Sequence, residues 1–467
     1  MSASSVFTQL LGFIVIPLIT RYYLPEYIGE AALYGSILMP FAVFANMGFG
    51  SAIISAESNE DSMNLFVLNI MTTIIVSIIS IGILIVLKNL EFVNLFIVNK
   101  YIFLLPISVL LHGVYISSRA LNIRQQRFGF VSIAQSGKYL VENGAKVAFA
   151  FSGNASAFVL VVSEVVGGFT SISVLNLNLW KKIIRFLLED VSIYSVKAVF
   201  YKYVKFPKFI LVEDFVSRIS EQLPIYILAL YFNSIIVGFY AIGLRLLTMP
   251  VSLFGRAIGD VFFQKVAENK EVVPEMLYKV LNFLSLSSIS VFIFLGLYSD
   301  QIFLLILGDK WTEAGVYTQL LAFFMFCRFT TLPTSYLMIV LGRQELSFLL
   351  NIITLLTGSV SLLLGGLLGN EYMAILLYSL GCGTVNLIFG AIVFNLAGLE
   401  LVKMSRLIIF NIKKNIPIII VLVSIKLGLN RDEMIVVLGA GSITVVNLLI
   451  LVSREKNFVS YIFDRKT

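Results

Sequence analysis

The chain has 467 residues, of which 58% are hydrophobic and 13% are charged, and its net charge is +7. Soluble domains carry about 25% charged residues, so this composition excludes a soluble globular protein and predicts a chain embedded in a bilayer. The apolar runs are continuous rather than alternating every second residue, which argues against a membrane β-barrel and for spanning helices.

Fourteen apolar segments are predicted to span the membrane, since a spanning helix needs about 20 mostly apolar residues. The thirteenth segment is the weakest because it is short and contains Lys426, so twelve spans remain an alternative. In chain order, the predicted spans are 5–22, 31–54, 64–87, 101–118, 128–151, 157–180, 209–231, 238–262, 279–299, 314–341, 347–367, 372–394, 415–429 and 435–452.

The basic residues between these spans are unequally distributed. With the N-terminus placed in the cytoplasm, 21 Lys and Arg residues fall in cytoplasmic segments and 5 in outer segments. Because cytoplasmic loops are enriched in Lys and Arg, we expect both termini to be cytoplasmic. This bias accounts for most of the basic character of the chain without a nucleic-acid partner.

A weak internal repeat predicts two lobes. The stretch that begins at Gly29 recurs at Gly238, with a Met-Pro pair and an Ala-Glu pair at matching places 210 and 211 residues apart. Parallel repeats of this kind are common in secondary transporters. The predicted domains are an N-terminal six-helix lobe (1–180), a basic cytoplasmic linker (181–208), a C-terminal six-helix lobe (209–394), and two additional helices with a cytoplasmic tail (395–467).

Ionisable residues recur inside the predicted spans. Such a side chain near the bilayer centre costs about 2.5–3.5 kcal/mol, so we expect these residues to line a polar, hydrated cavity between the lobes. Arginine suits phosphate because its planar fork donates two parallel hydrogen bonds. The basic members are Lys138, Lys146, Arg218, Arg245, Arg256 and Arg328, and the acidic members are Glu142, Glu164, Glu213, Asp214, Glu221 and Asp260.

Two of these sets could instead neutralise themselves. Lys138, Glu142 and Lys146 follow an i, i+4, i+8 spacing and share one helix face, and Asp214, Arg218 and Glu221 share a stripe in the same way. Structural ion pairing in both sets therefore stays open as an alternative.

The arginines of spans 8 and 10 differ in this respect. Arg245 and Arg328 have no acid at i±3 or i±4 along their own helices. Arg256 follows Arg245 by eleven residues, which would place the two nearly in line on one continuous helix, with Asp260 one turn further.

Metal, cofactor and catalytic chemistry are not indicated. His112 is expected to be a packed or interfacial histidine, and Cys327 and Cys382 are too far apart in sequence for a soft-metal or redox motif. The chain has no P-loop and no dinucleotide, serine-hydrolase or zinc-protease signature. We therefore predict no cofactor, no metal and no enzymatic activity.

Several stretches resemble one transporter family. They are Pro17-Leu-Ile-Thr-Arg-Tyr-Tyr-Leu-Pro-Glu-Tyr-Ile-Gly29, Phe206-Pro-Lys-Phe209, Gly243-Leu-Arg-Leu-Leu-Thr-Met-Pro250 and Arg256-Ala-Ile-Gly-Asp260 followed by Val261-Phe-Phe263. Their order and spacing are similar to those of Wzx-type polysaccharide flippases of the MATE/oligosaccharidyl-lipid/polysaccharide superfamily. The resemblance covers most of the chain and is strongest over 5–60 and 205–270.

The resemblance implies an all-α polytopic membrane protein with two six-helix lobes around a central cavity. It implies a cargo of undecaprenyl-diphosphate-linked oligosaccharide, moved from the inner to the outer leaflet of a bacterial cytoplasmic membrane by alternating access, for O-antigen, capsule or exopolysaccharide. Membrane lipids, and a polysaccharide polymerase and chain-length proteins, are the expected partners. Arg245, Arg256, Arg328, Lys138, Lys146 and Arg218 would bind the anionic cargo, and Glu142, Asp214, Glu221 and Asp260 are candidates for ion or proton coupling.

Two rival functions remain open. A MATE-like cation-coupled efflux transporter would share the fold but export small molecules, and acids without basic partners would favour it. A polytopic polysaccharide polymerase or ligase would need a sizeable outer loop, whereas all predicted outer loops are short.

Overall fold

The computed structural model describes residues 3–89, 101–189, 191–251, 256–428 and 433–454. Within these ranges the chain forms helices and no strand. The helices are α1 Ala3–Tyr22, α2 Pro25–Asn46, α3 Phe49–Ser55, α4 Asn59–Asn89, α5 Leu105–Arg124, α6 Phe128–Phe151, α7 Ala157–Asn176, α8 Trp180–Glu189, α9 Ile193–Lys202, α10 Leu211–Tyr231, α11 Ser234–Pro250, α12 Arg256–Glu268, α13 Val273–Leu307, α14 Thr312–Val340, α15 Gln344–Leu367, α16 Glu371–Leu396, α17 Leu401–Gly428 and α18 Glu433–Arg454.

The predicted all-α membrane architecture is confirmed. Each of the fourteen predicted spans falls on one or two of these helices. Among the described residues, eight helices are long and apolar enough to cross a bilayer. The protein is therefore a multi-pass membrane protein, and the count of twelve or fourteen spans stays a prediction.

Two predicted spans do not coincide with single helices. The span 31–54 was expected to be continuous and this is wrong, because Met47 and Gly48 have φ of 46° and 74° and separate α2 from α3. A left-handed residue cannot continue a right-handed helix. In the span 238–262, α11 ends at Pro250 and α12 begins at Arg256, and residues 252–255 lie outside the described part.

The helices form two packed units, Met1–Gly238 and Phe239–Thr467. The predicted division into lobes, linker and C-terminal helices remains a prediction.

Polar side chains join the helices of the first unit. Asn122 on α5 donates to the Leu175 carbonyl, 3.0 Å away, and Asn176 on α7 donates to Ser118 Oγ, 2.9 Å away. In an apolar environment such side-chain bonds and small residues draw helices together. These bonds fix α5 against α7. They thereby position the polar side chains that lie near the middle of the two helices.

The connection between α7 and α10 packs on the same unit through two amphipathic helices. Ile183 and Phe186 of α8 are buried in an apolar cluster with residues of α3 and α4. At the end of α9, Lys202 Nζ lies 2.7 Å from Glu57 and 2.8 Å from Asp61. The basic linker predicted from the sequence is therefore attached to the α3–α4 turn by ion pairs.

In the second unit, α13 is the long central helix on which α17 and α18 pack. Lys426 Nζ on α17 lies 3.1 Å from both carboxylate oxygens of Asp300 on α13, and Gln319 of α14 donates to the same carboxylate. The lysine that makes the thirteenth span look weak thus has a partner within the fold.

Candidate functional site

A row of charged side chains on α6 faces α7 in the first unit. Lys146 Nζ lies 2.6 Å from Glu142 Oε1, and the two side chains are only 13% and 19% exposed. The helices approach closely here, because a Cβ added to Gly167 of α7 would lie 2.9 Å from the Glu142 Cβ. The hydroxyl of Tyr23, the residue that follows α1, donates to the Lys146 carbonyl, 2.9 Å away. The pair is therefore enclosed by three helices.

Lys138 has different contacts from Lys146, although both lie on the same face of α6. No ion pair to Lys138 occurs among the residues that the structure describes. Lys138 instead lines a cavity with His112 of α5 and Glu164 of α7. The predicted stack of three mutually neutralising charges is thus only partly formed, with one pair and one separate lysine.

The cavity is polar and small. Ser108, Tyr115 and Ser171 contribute hydroxyls to its wall, and its volume of about 30 Å³ is the space of one or two water molecules. A sugar or a diphosphate would not fit it in this conformation. Its chemistry suits a water, a proton or a small ion, held between the Lys138 ammonium, the His112 imidazole and the Glu164 carboxyl group.

Charges beyond its wall act on the cavity. Glu164 interacts electrostatically with Lys138, Glu142 and Lys146, and His112 interacts with Lys138 and with Arg218 of α10. The four helices α5, α6, α7 and α10 therefore contribute to one electrostatic network in the first unit.

The charged residues of α10 form one ion pair. Arg218 Nη1 lies 3.0 Å from Glu221 Oε2, whereas Asp214 interacts with Arg218 only at longer range. Both members of the pair are exposed on the unit, at 51% and 40%. α10 is held against α2 by a hydrogen bond of 2.5 Å from the Tyr226 hydroxyl to the Ser36 carbonyl.

Arg245 and Arg328 are the two described cargo candidates of the second unit. Both side chains are exposed, and no described residue forms an ion pair with either of them. The buried Tyr240 and Tyr378 lie near Arg328, and both interact electrostatically with its guanidinium. Each arginine stands on a helix of a membrane protein, so neither can face lipid without the cost of placing an ionisable side chain there.

The structure brings together some of the predicted site residues and leaves others apart. Lys138, Glu142, Lys146 and Arg218 belong to the network of the first unit, and Arg245 and Arg328 belong to the second. The side chains of Arg256 and Asp260 lie outside the described part of the structure, so their alignment with Arg245 stays a prediction.

His112 lies in the wall of the polar cavity. From the sequence alone it is expected to be a packed or interfacial histidine, with no role in a site. Ser108, His112 and Tyr115 follow one another at i, i+4 and i+7 along α5, and this spacing places them on one helix face. The polar stripe is the signal in the sequence that could have identified this wall of the cavity.

A family of known proteins matches a large part of the chain. The family model described as "Polysaccharide biosynthesis protein" matches residues 18–316. No curated protein matches the chain.

Solved structures show what the fold is similar to. The lipid II flippase MurJ in an inward closed conformation matches with a TM-score of 0.76 and 14% identity, over 98% of this chain and 99% of that one. An inward-facing multidrug resistance MATE transporter matches with a TM-score of 0.63 and 13% identity, over 87% and 96%. A point mutant of the Vibrio cholerae MATE transporter VcmN matches with a TM-score of 0.53 and 11% identity, over 86% and 99%. At these identities the similarity establishes the fold.

Proposed function

We propose a function from the premise that this chain belongs to the polysaccharide biosynthesis protein family, whose model covers residues 18–316. The protein is a flippase that moves undecaprenyl-diphosphate-linked oligosaccharide from the inner to the outer leaflet of the bacterial cytoplasmic membrane. A multi-pass helical fold similar to that of the lipid II flippase MurJ supports this function. The fold is that of transporters and flippases, and the chain is not an enzyme.

The exposed and unpaired guanidinium groups of Arg245 and Arg328 are the observation on which the proposal rests. An anionic cargo explains why arginines without an ion-pair partner among the described residues persist in membrane helices, because each guanidinium can bind two oxygens of a diphosphate. Arg256, Lys138, Lys146 and Arg218 supply further positive charge to the cargo in the same proposal.

Coupling to an ion or proton gradient is assigned to acids. Glu142 and Asp214 belong to or border the network of the first unit, and Glu221 and Asp260 are the further candidates. Glu164 lines the small cavity beside Lys138 and interacts electrostatically with Glu142. A proton or cation bound in the cavity would therefore change the charge of the network. Alternating access then moves the cargo while the network changes its protonation or occupancy.

The cellular setting follows from the same proposal. Both termini lie in the cytoplasm, and the product supplies O-antigen, capsule or exopolysaccharide assembly. Membrane lipids surround the protein, and a polysaccharide polymerase and chain-length proteins act on the cargo after it has been flipped.

The decisive experiment follows the orientation of the cargo lipid. In a strain without this protein, lipid-linked oligosaccharide should accumulate with its sugars facing the cytoplasm, and the intact chain should restore the outward orientation. An Arg245→Ala/Arg328→Ala variant present at normal abundance should not restore it. Normal cargo orientation in the deletion strain would show that the chain is not the flippase.

A cation-coupled efflux pump for small molecules is the second candidate. The similarity to a multidrug resistance MATE transporter favours it, as does the carboxyl group of Glu164 in a cavity of ion-like size. Lower tolerance of cationic drugs in the deletion strain, with cargo orientation unchanged, would identify this function instead.

A further inference from the structure

A second cavity lies in the unit that contains Arg245 and Arg328, but neither arginine lines it. It has a volume of about 400 Å³ and is open to its surroundings. One wall comes from the start of α13, with Pro274, Glu275 and Tyr278. The opposite wall comes from the connection between α16 and α17 and from the first turns of α17, with Leu399, Lys403 and Arg406.

The depth of this cavity follows from the register of α13 and α17. Asn411 Nδ2 donates to Asn282 Oδ1 near one end of the two helices, and Lys426 contacts Asp300 near the other, so α13 and α17 run parallel. A hydrocarbon core of about 30 Å corresponds to about 20 helical residues.

The predicted spans on α13 and α17 begin at residues 279 and 415, so Tyr278 and Arg406 both precede the hydrocarbon on the same side of the membrane. Tyr278 and Arg406 therefore lie in the headgroup layer. By the proposed orientation, this is the headgroup layer of the cytoplasmic leaflet.

The cavity wall carries positive charges that are not neutralised by ion pairs in the described structure. Lys403 and Arg406 are exposed, and within the described residues no ion pair involves either side chain. Glu275, the acid of the opposite wall, is engaged by Lys279 at 2.5 Å. Two cations one helical turn apart thus face an open space, and the acid across from them is already paired.

The remaining wall residues suit the interface between lipid and water. Tyr278 is 39% exposed, and tyrosine prefers this layer because its ring is apolar and its hydroxyl is polar. The hydroxyl can donate to a phosphate oxygen, and Leu399 offers an apolar surface beside it. Basic pockets between helices at the cytoplasmic face are typical binding sites for anionic lipid headgroups.

We propose that this cavity binds the phosphate headgroup of an anionic phospholipid of the cytoplasmic leaflet, with Arg406 and Lys403 as its cationic ligands. The lipid occupies the space between the starts of α13 and α17 and links them at the end opposite the Asp300 ion pair. Because the cavity does not include any proposed cargo residue, this inference is independent of the transport function.

The test compares lipid binding to the purified full-length chain and two variants. Lys403→Ala/Arg406→Ala removes the proposed ligands. Lys413→Ala/Lys414→Ala is the matched control, because it removes the same charge from exposed positions of the same helix that do not line the cavity. Native mass spectrometry measures binding of phosphatidylglycerol, phosphatidylcholine and undecaprenyl diphosphate, with inorganic phosphate as a competitor.

The wild type should prefer phosphatidylglycerol to phosphatidylcholine. Lys403→Ala/Arg406→Ala should bind phosphatidylglycerol about tenfold more weakly, a loss of about 1.4 kcal/mol, because both cationic ligands of the phosphate are removed. The control variant should bind as the wild type does, and millimolar phosphate should not compete.

Equal weakening in both variants would show diffuse attraction to the basic surface and overturn the proposal. Unchanged binding, competition by free phosphate, or binding of undecaprenyl diphosphate in preference to phosphatidylglycerol would overturn it as well. If the double variant does not remain monodisperse, Arg406→Gln provides the same comparison with one ligand removed. Cargo flipping measured alongside reports on the transport function separately.

Discussion

Glu142 and Lys146 form an enclosed ion pair on α6, with 2.6 Å between Oε1 and Nζ. Lys138 lies two turns from Lys146 on the same face and joins the cavity of His112 and Glu164 instead. The three residues therefore have different environments, although their spacing in the sequence is regular.

The first prediction separates the structural and coupling roles of Glu142. Glu142→Gln should lower the amount of folded protein in the membrane, because removing one member of an enclosed pair leaves the other charge uncompensated. The loss should be about 1–3 kcal/mol, less than the roughly 3–5 kcal/mol of a fully buried pair. Glu142→Gln/Lys146→Met should restore abundance but not flipping driven by an ion gradient.

Its control is the exposed pair Arg185 and Glu189 of α8, which has the same i, i+4 spacing and a distance of 2.7 Å. Arg185→Gln/Glu189→Gln should change neither abundance nor transport. Full gradient-driven transport in the Glu142→Gln/Lys146→Met variant would exclude the coupling role of Glu142.

The second prediction concerns the unpaired arginines of the second unit. Arg245→Ala and Arg328→Ala should each strongly reduce surface glycan while membrane abundance stays unchanged, because neither side chain has an ion-pair partner among the described residues. Arg→Lys should retain part of the activity, since a lysine keeps the charge but loses the bidentate geometry. Arg343→Ala is the control, because that arginine is paired with Glu345 at 3.5 Å. Normal glycan display in the Ala variants would remove both residues from the cargo site.

The third prediction concerns Asp300 and Lys426. Asp300→Asn should lower the thermal stability of the purified protein by about 1–3 kcal/mol, because the Lys426 ammonium loses its carboxylate in a partly buried site. Asp300→Asn/Lys426→Met should recover most of this loss. Lys279→Met, which removes an exposed pair with Glu275, should have an effect within about 1 kcal/mol. If the two Asp300 variants unfold at the same temperature, the contact with Lys426 does not stabilise the fold.

The fourth prediction concerns the attachment of the linker at Lys202. Hydrogen bonds to Asp61 and then to Glu57 raise the pKa of Lys202 above its usual value. A raised lysine pKa gives a contribution to stability that is fully present below the unfolded pKa of about 10.4 and is lost only as the pH rises through the folded value. The stabilisation that Lys202 gives to the packing of α9 on Glu57 and Asp61 should therefore be constant from about pH 6 to about pH 9.

Hydrogen exchange measures this attachment directly. Lys202→Ala should increase amide exchange across α9, and Lys197→Ala, an exposed lysine of the same helix without an ion pair in the described structure, should not. A rise in wild-type exchange over this neutral range, beyond the intrinsic pH dependence, would contradict the assignment.

The fifth prediction is the orientation of the chain in the membrane. Reporters inserted after Asn154 and after Asn370 should lie outside, and a reporter after Lys182 should lie in the cytoplasm. Asn154 and Asn370 lie in the connections between α6 and α7 and between α15 and α16, where insertions should be tolerated. A cytoplasmic signal at Asn154 would reverse the proposed orientation.

The sequence predicts the helices well because each spanning segment is marked locally by its apolar residues. The break between α2 and α3 was not predictable in this way, because Met47 adopts a left-handed conformation that its residue type rarely adopts. Gly48, which follows Met47, favours a break in the run from 31 to 54, since glycine adopts a positive φ readily.

Contacts between distant residues account for most of what the sequence did not reveal. Lys426 is 126 residues from Asp300, so its partner could not be inferred from spacing along a helix. The cavity beside Lys138 likewise needs three helices to pack together before His112 and Glu164 become neighbours. By contrast, the pair of Glu142 and Lys146 follows the i, i+4 rule and was among the predicted alternatives.

The polar residues of α17 have a consequence for how the protein is made. Asn411, Asn415 and Lys426 would hinder the insertion of α17 as an isolated helix, and their partners stand on α13, which the ribosome completes well before α17 begins. A helix that is already in the membrane can thus receive a later one whose own hydrophobicity is marginal. The order in which the helices are synthesised therefore contributes to correct insertion. In a rearranged chain that emerges with α17 before α13, α17 would reach the translocon before its partner helix is in the membrane.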